Sequence, residues 1–514
     1  MNKSLQIVHD YHERTKHFKH RYARSLGFMD WATQPDPFRR YKGAKTLKLP
    51  LALDNSTPPY HLLDTDLPSA PLLKESISGL LQFSMGIAAY KESGGSSWAV
   101  RCNASSGNLH PTEAYLVLPP IMSEQDGKSN VFHYSPKEHA LEMLASFESS
   151  FWNKLPKNSF IVGLSSISWR EVWKYGERAF RYTQLDAGHA WQTFVVSAKM
   201  LGYRVTRLDS VSDADISTLL GLSQKERFFE DELPDMLLVI SPEDINSNLS
   251  IDLLIESLPL KFDGIANKLS PSMQEWEIIP SVEKATSEAQ IARPKVLSSQ
   301  ITRTPSKESK DVVLNRRSVH MMDSSSITKE QFHTLLRSIL GSQDAKENSA
   351  HLVIFVHRVE NYDSGLYILV RNPKVKEDLQ RELDTKFHWS HTEFGHLYIL
   401  KLGDFTSISK AISCSQNIAS DGAFSLCMLC NFTNELQTYG AHRYKELYWE
   451  CGAIGQQLYL EATSMGLSGT GIGCFLDDEI HKLLGLISNR FEVLYNFTVG
   501  RGYVDSRILT RPPY

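Results

Sequence analysis

Two adjacent arginines followed by a serine, Arg316-Arg317-Ser318, stand where the second half of this 514-residue chain begins. Guanidinium groups fork onto phosphate oxygens, so this pair, joined by Arg501 or Arg507 near the C-terminus, suits a phosphate anchor. A glycine-rich segment, Leu467-Ser468-Gly469-Thr470-Gly471 with Gly473 beyond it, is expected to form a loop whose main-chain amides approach a flat or anionic ligand. The run Ser105-Ser106-Gly107-Asn108 offers two hydroxyls and an amide to the polar edge of a ring system, and reads equally as a hydrogen-bonded surface turn. Lys174 and Tyr175, in the aromatic and cationic stretch Trp173 to Tyr182, can stack on a substrate and move protons. The same residues also suit an amphipathic helix whose long side chains reach for solvent.

The elements that position these residues recur. Small or apolar residues at Ala453, Ile454, Gln457, Leu458 and Ala462 keep helical spacing, and Gly466 ends the run where a left-handed residue is wanted. The segment Asp186 to Leu222 aligns without gaps on Glu450 to Leu486: Gly188 meets Gly452, Gln192 meets Gln456, Gly202 meets Gly466 and Asp213 meets Asp477. The chain is therefore read as a tandem repeat of one fold. Residues 1–59 are expected to form a wrapping arm with a helix from His9 to Arg24. Residues 60–245 form the first domain, 246–310 a linker with a polar run from Pro280 to Lys310, and 311–514 the second domain. Within the first domain, Leu73 to Gly86 has helical periodicity, a long Gly/Ser-rich loop follows, and Ala114 to Leu118 and Met236 to Ile240 read as buried strands.

The two copies have lost different things. The first copy has Tyr60-His61-Leu62-Leu63 opposite the arginine motif, and Val205, Arg207 and Asp209 opposite the three glycines. The second has Thr438 opposite Lys174 and no counterpart of the Ser-Ser-Gly-Asn loop. Such complementary loss is expected of an intramolecular pseudo-dimer that keeps one of two interface sites. A phosphate anchor, a glycine-lined slot and a hydroxyl-rich loop together suit flavin mononucleotide (FMN). No G-x-G-x-x-G follows a strand to hold a pyrophosphate, and no G-x-x-x-x-G-K-[ST] is present for a nucleoside triphosphate.

Composition sets outer bounds. Hydrophobic residues at 41%, charged residues at 22% and a net charge of −4 describe a globular protein with no basic excess for nucleic acid. No apolar stretch approaches a membrane span, and the polar N-terminus lacks a signal-peptide core, so the expected compartment is the cytoplasm. The six cysteines, Cys427-x-x-Cys430 included, are expected to be reduced core residues.

The motifs SSGNLHPTEAY, WKYGERAFRY with DAGHAWQ, Arg316-Arg317-Ser318, and GQQLYLEATSMGLSGTGIG through VGRGYVDSR resemble the nitroreductase superfamily, in its SagB-type (azoline dehydrogenase-like) branch. The resemblance implies an α+β fold, two tandem α/β sandwich domains that pair as a homodimer does, with FMN bound across their junction. It assigns the phosphate to Arg316, Arg317, Ser318 and a C-terminal basic residue, the flavin ring to Leu467 to Gly471, and a contact from the opposite domain to Ser105 to Asn108. It gives Lys174 and Tyr175 a catalytic role. Ala104 stands where the family usually has proline. The implied function is FMN-dependent dehydrogenation of a peptide-like or heterocyclic substrate. NAD(P)H-driven nitro or quinone reduction, and a flavin-binding scaffold of a peptide-modifying complex, are the other readings.

Overall fold

The two repeated helices run from Ala179 to Met200 and from Arg443 to Ser464 and are buried on almost every side, which is why neither carries a clean polar face. The computed structural model describes residues 2–120, 127–287, 303, 306–341, 348–503 and 505–514. Each half holds a seven-stranded antiparallel sheet. The first runs Lys45–Lys48, Ala140–Phe147, Ser129–Ser135, Thr112–Leu118, Phe160–Ser166, Leu233–Ser241, Arg204–Arg207. The second runs Ser390–His391, Leu397–Leu402, Gly365–Leu369, Ala350–Val356, Phe424–Cys430, Glu492–Gly500, Ser468–Ile472, the same order in all but the outer strand, which here lies in sequence between Gly365–Leu369 and Leu397–Leu402. The chain is thus two α+β units of like topology in tandem. Side chains of both halves, among them Leu109, Tyr182, Leu426 and Leu458, share one apolar core across the junction.

Several local expectations change. The N-terminal helix spans Lys3–Arg14 rather than His9 to Arg24, closed by Thr15, whose hydroxyl donates to the Tyr11 carbonyl. Beyond it the chain crosses between the halves: Tyr11 Oη donates to the Glu177 carbonyl, Lys16 Nζ to Glu492 and the His17 amide to Asp477. Lys45–Lys48, within the expected arm, is an outer strand of the first sheet. The expected loop after Gly86 is a hairpin, Ile87–Ser93 with Ser96–Arg101. Its turn is Gly94-Gly95, both at positive φ, the pairing a two-residue hairpin turn favours. The C-terminal strand Leu509–Arg511 joins this hairpin, so the second half adds a strand to a sheet of the first.

Glycines 469 and 471 lie in an edge strand, not a loop. A Cβ on Gly469 would meet the Phe497 ring at 2.8 Å, one on Gly471 the Tyr495 hydroxyl at 1.8 Å, and one on Gly473 the Tyr182 ring at 2.4 Å. Their absent side chains make room for three aromatic rings. The expected linker contributes helices Asp252–Ile255 and Ile278–Ala285 and a strand, Ile265–Ala266, paired with Tyr41–Lys42. Residues 288–302 and 304–305 of its polar run lie outside the described residues. Arg303 is clamped between Asp64 and Glu461, one from each half. All six cysteines are free; Cys427 and Cys430 lie on one strand but belong to separate cores.

Candidate functional site

A cavity of about 680 Å³ opens at the junction, within the size range of small-molecule sites. The first half supplies Ser105, Ser106, Gly107 and Asn108, then Lys174 and Tyr175 from the helix Ser168–Tyr175; the second supplies Arg316, Arg317, Ser318, Thr470 and Gly471. The structure therefore brings together eleven of the sixteen residues singled out from sequence. Leu467, Ser468 and Gly469 do not line the cavity: Leu467 packs in the core, and Gly469 pairs with Val499 and bridges to Ser318. Arg501 and Arg507 correct the expectation of a C-terminal anchor. Both are exposed outside the cavity, and Arg507 is ion-paired to Asp505 at 2.7 Å.

Arg316 is almost fully buried. Its Nε donates to the Cys102 carbonyl at 2.9 Å and its Nη2 to the Arg101 carbonyl at 3.0 Å. Arg317 donates to the Leu314 and Arg316 carbonyls. Among the described residues neither forms an ion pair, and burial lowers both guanidiniums, Arg317 to about 10. Lys91 of the hairpin lines the same wall, and the Arg317 charge helps to lower its ammonium too. A buried and a half-buried cation without a carboxylate leave charge for a bound anion to neutralise. Beside them Ser318 Oγ and Tyr459 Oη lie 2.7 Å apart, and Tyr459 Oη accepts from the Gly471 amide at 2.8 Å.

The opposite wall is the Ser-Ser-Gly-Asn turn and the helix above it. A Cβ on Gly107 would stand 2.7 Å from the Tyr175 hydroxyl and 3.0 Å from Lys174 Nζ, so both side chains lie over this glycine. Lys174 Nζ sits 5.3 Å from the Tyr175 ring centre, and Tyr175 packs against Tyr182 with centroids 4.5 Å apart. Burial pushes the Tyr175 phenol well above its ordinary range, so it is a hydroxyl donor at neutral pH.

Sequence reading missed the first long helix itself as a wall. Asp186 and His189, three residues apart on one face, both line the cavity. His189 meets Gln456 Oε1 at 3.2 Å and Tyr495 Oη at 3.1 Å, and burial lowers it to about 3, so it is neutral. Buried polar residues at helical spacing inside an apolar helix were the available signal. The hairpin residues Lys91 and Trp98 were missed with their hairpin.

On the other side of the junction the position matching Gly471 carries an arginine. Arg207, opposite Gly471 in the repeat, lies 5.6 Å from ring centres of both Trp191 and Trp449. It is ion-paired to Asp209 at 2.7 Å and to Glu446 at 3.0 Å.

The nitroreductase family model matches residues 97–229 and 313–501, one segment in each half. The chain belongs to the nitroreductase family. A protein of Methanocaldococcus jannaschii provisionally designated a nitroreductase, MJ1384, is 24% identical over 184 residues, 34% of this chain and 82% of that protein. A crystal structure from Anabaena variabilis, also provisionally called a nitroreductase, is 21% identical and superposes with a TM-score of 0.70 over 97% of this chain and 99% of its own. That nitroreductase shares the two-unit fold along its length. A chain of the Escherichia coli microcin synthetase McbBCD complex covers 48% of this chain and 94% of its own at 19% identity, with a TM-score of only 0.28. No described helix is long and apolar enough to cross a membrane.

Proposed function

We propose that this nitroreductase-family chain is an FMN-dependent oxidoreductase of the SagB type that dehydrogenates a peptide-like or heterocyclic substrate and carries one flavin per chain. The observation that carries the reading is the pair Arg316, buried, and Arg317, half-buried, with no carboxylate partner among the described residues, in the same cavity as Lys174 and Tyr175. The residues suit FMN. Arg316, Arg317 and Ser318 would hold its phosphate, Thr470 and Gly471 would border the ring system, and Ser105, Ser106 and Asn108 would meet its polar edge. The bound flavin supplies a two-electron acceptor, a chemistry no side chain provides.

The chain's own residues do the rest. Lys174, held with Tyr175 over Gly107, would take a proton from a carbon or nitrogen next to the bond being oxidised, and the Tyr175 hydroxyl would donate to it or to the substrate. The walls from both halves restrict water and fix orientation. Reconstitution with FMN followed by acid release tests the assignment: one flavin per chain is expected. A protein that takes up no FMN would point to a scaffold, and rapid bleaching of bound flavin by NADPH would point to a nitro or quinone reductase.

A further inference from the structure

Two carboxyl groups in the first half sit where the second half has neutralised carboxylates. In the repeat, Asp186 matches Glu450, and at the same offset Glu171 matches Glu435. Glu450 accepts from Arg371 at 2.6 Å and from the Ala350 and Ser349 amides; Glu435 accepts from Arg443 Nε at 2.6 Å. Both are structural anchors held by arginine.

Asp186 and Glu171 have no such partner. Asp186 is 1% exposed and lines the cavity. It accepts from the Ser106 amide at 3.0 Å and from Ser106 Oγ at 2.9 Å, and forms no ion pair among the described residues. Glu171 is fully buried in the helix that carries Lys174 and Tyr175, and neither of its oxygens has a hydrogen-bond partner among the described residues. A buried carboxyl without a cation is kept neutral by desolvation, and the nearby Asp186 charge reinforces this for Glu171. The second half anchors its two acids on arginines; the first half carries the acids without arginine partners, beside the cavity.

We propose that Asp186 is a proton-exchanging catalytic residue of this cavity. In its neutral form it gives the carboxyl proton to an oxygen or nitrogen of the bound substrate: the O–H bond breaks, the new bond uses the acceptor's lone pair, and the carboxylate that remains is held by Ser106. In the opposite direction the carboxylate accepts a proton and the electron pair stays on the substrate atom. No electrons pass through the residue. Burial raises the Asp186 carboxyl to about 7, so both forms are populated near neutrality, as a general acid or base requires. The titratable groups around it are Glu171, Lys174 and Tyr175 from the helix above, Tyr182 and His189 along its own helix, and Tyr459 and Tyr495 from the second half.

The assignment rests on the cavity being the reaction site, and the test separates the two. Infrared difference spectra of the flavin-free protein with labelled aspartate carboxyls are recorded against pH. Beside Asp235, which burial raises to about 6, one further aspartate carboxyl titrating near pH 7 is expected, absent in Asp186→Asn and retained in Asp235→Asn and Glu171→Gln. No labelled carboxyl titrating near pH 7, or one that persists in Asp186→Asn, overturns the proposal whether or not flavin binds. For protein loaded with FMN, reduced flavin is reoxidised with menadione, a quinone that takes up protons. The wild-type rate is expected to fall as pH rises through 7, and Asp186→Asn, at equal flavin content, to be about 10²-fold slower and flat with pH. A wild-type rate and pH profile in Asp186→Asn overturns it. Failure of the protein to bind FMN counts against the proposed function alone and leaves the infrared titration to decide on Asp186.

Discussion

Gly188 and Gly452, matched residues of the repeat, meet where the two long helices cross. A Cβ on Gly188 would stand 2.3 Å from the Trp449 carbonyl oxygen. One on Gly452 would stand 2.1 Å from the Leu185 carbonyl oxygen and 3.0 Å from the Gly188 Cα. Main chain meets main chain there, so neither neighbour can yield by rotating a side chain. The cavity depends on this approach, since one helix carries Asp186 and His189 and the other Tyr459.

Gly188→Ala or Gly452→Ala must therefore push the helices apart. A cost of at least about 1–3 kcal/mol is expected from overpacking, read as a lower urea midpoint, together with weaker FMN binding. Wild-type values of both would show that the crossing is looser than its geometry.

Arginines 316 and 317 should separate binding from stability. Arg316→Ala or Arg317→Ala is expected to weaken FMN binding by on the order of 3–5 kcal/mol, the scale for removing one member of a buried charge pair. The flavin-free protein should not lose stability in proportion, because an unneutralised buried cation is removed. Arg207→Ala should do the reverse: full FMN content, but a lower unfolding midpoint as Asp209 and Glu446 lose their partner. Equilibrium dialysis with FMN and urea unfolding check both halves of this prediction. Flavin loss in Arg207→Ala would contradict the single-site reading.

Stability should also vary with pH in two opposite senses. Asp477, paired with Arg178 and Arg181, is held down to about 2, mainly by those guanidiniums acting against the desolvation of burial. Its contribution is present above the ordinary aspartate range and is lost as pH falls towards 2. Asp235 is 1% exposed, and burial raises it to about 6. Its unfolded form ionises first, so stability is lost as pH rises from about 4 to about 6. Asp235→Asn should reduce that second loss, leaving the share of Asp186, which is lost as pH rises to about 7, and leave the acid limb intact. Urea midpoints between pH 3 and 8 measure it, and an unchanged slope in the variant would refute the assignment.

The halves of the site differ in how openly the sequence displays them. Arg316, Arg317, Lys174 and the Ser105 to Asn108 turn are legible because each is missing from the other copy of the repeat. Asp186 and Glu171 are not, since both copies carry an acid there and only the partners differ: arginines in one half, serines or nothing in the other. The glycines at 469, 471 and 473 suggest room for a ligand against main-chain amides, whereas the groups packed against them in the structure are Phe497, Tyr495 and Tyr182. The strand at 468–472 was hidden because glycine has low strand propensity and only its pairing with Glu492–Gly500 forms it. Arg507 is singled out from sequence by its place shortly after the last long strand, and in the structure its guanidinium is taken up by Asp505, two residues away.

The Lys174 and Tyr175 pair gives the last prediction. Both side chains lie over Gly107, so the turn and the helix form one unit in which a change on either side is felt by the other. Tyr175, kept a phenol by burial, can donate a hydrogen bond but not serve as a ready base, which leaves Lys174 as the candidate base and Tyr175 as the group that orients it or the substrate. Lys174→Ala is therefore expected to lower substrate-dependent flavin reduction by roughly 10²-fold or more, with FMN content unchanged. Tyr175→Phe keeps the ring that packs on Tyr182 and removes only the hydroxyl, so its smaller loss should fall on kcat more than on flavin binding. Gly107→Ala puts a methyl against both groups in a left-handed backbone position, φ +60°, and should impair turnover as Lys174→Ala does without touching either side chain's chemistry. Single-turnover flavin bleaching at matched FMN occupancy measures all three, and wild-type rates in Lys174→Ala and Tyr175→Phe would remove the pair from the mechanism.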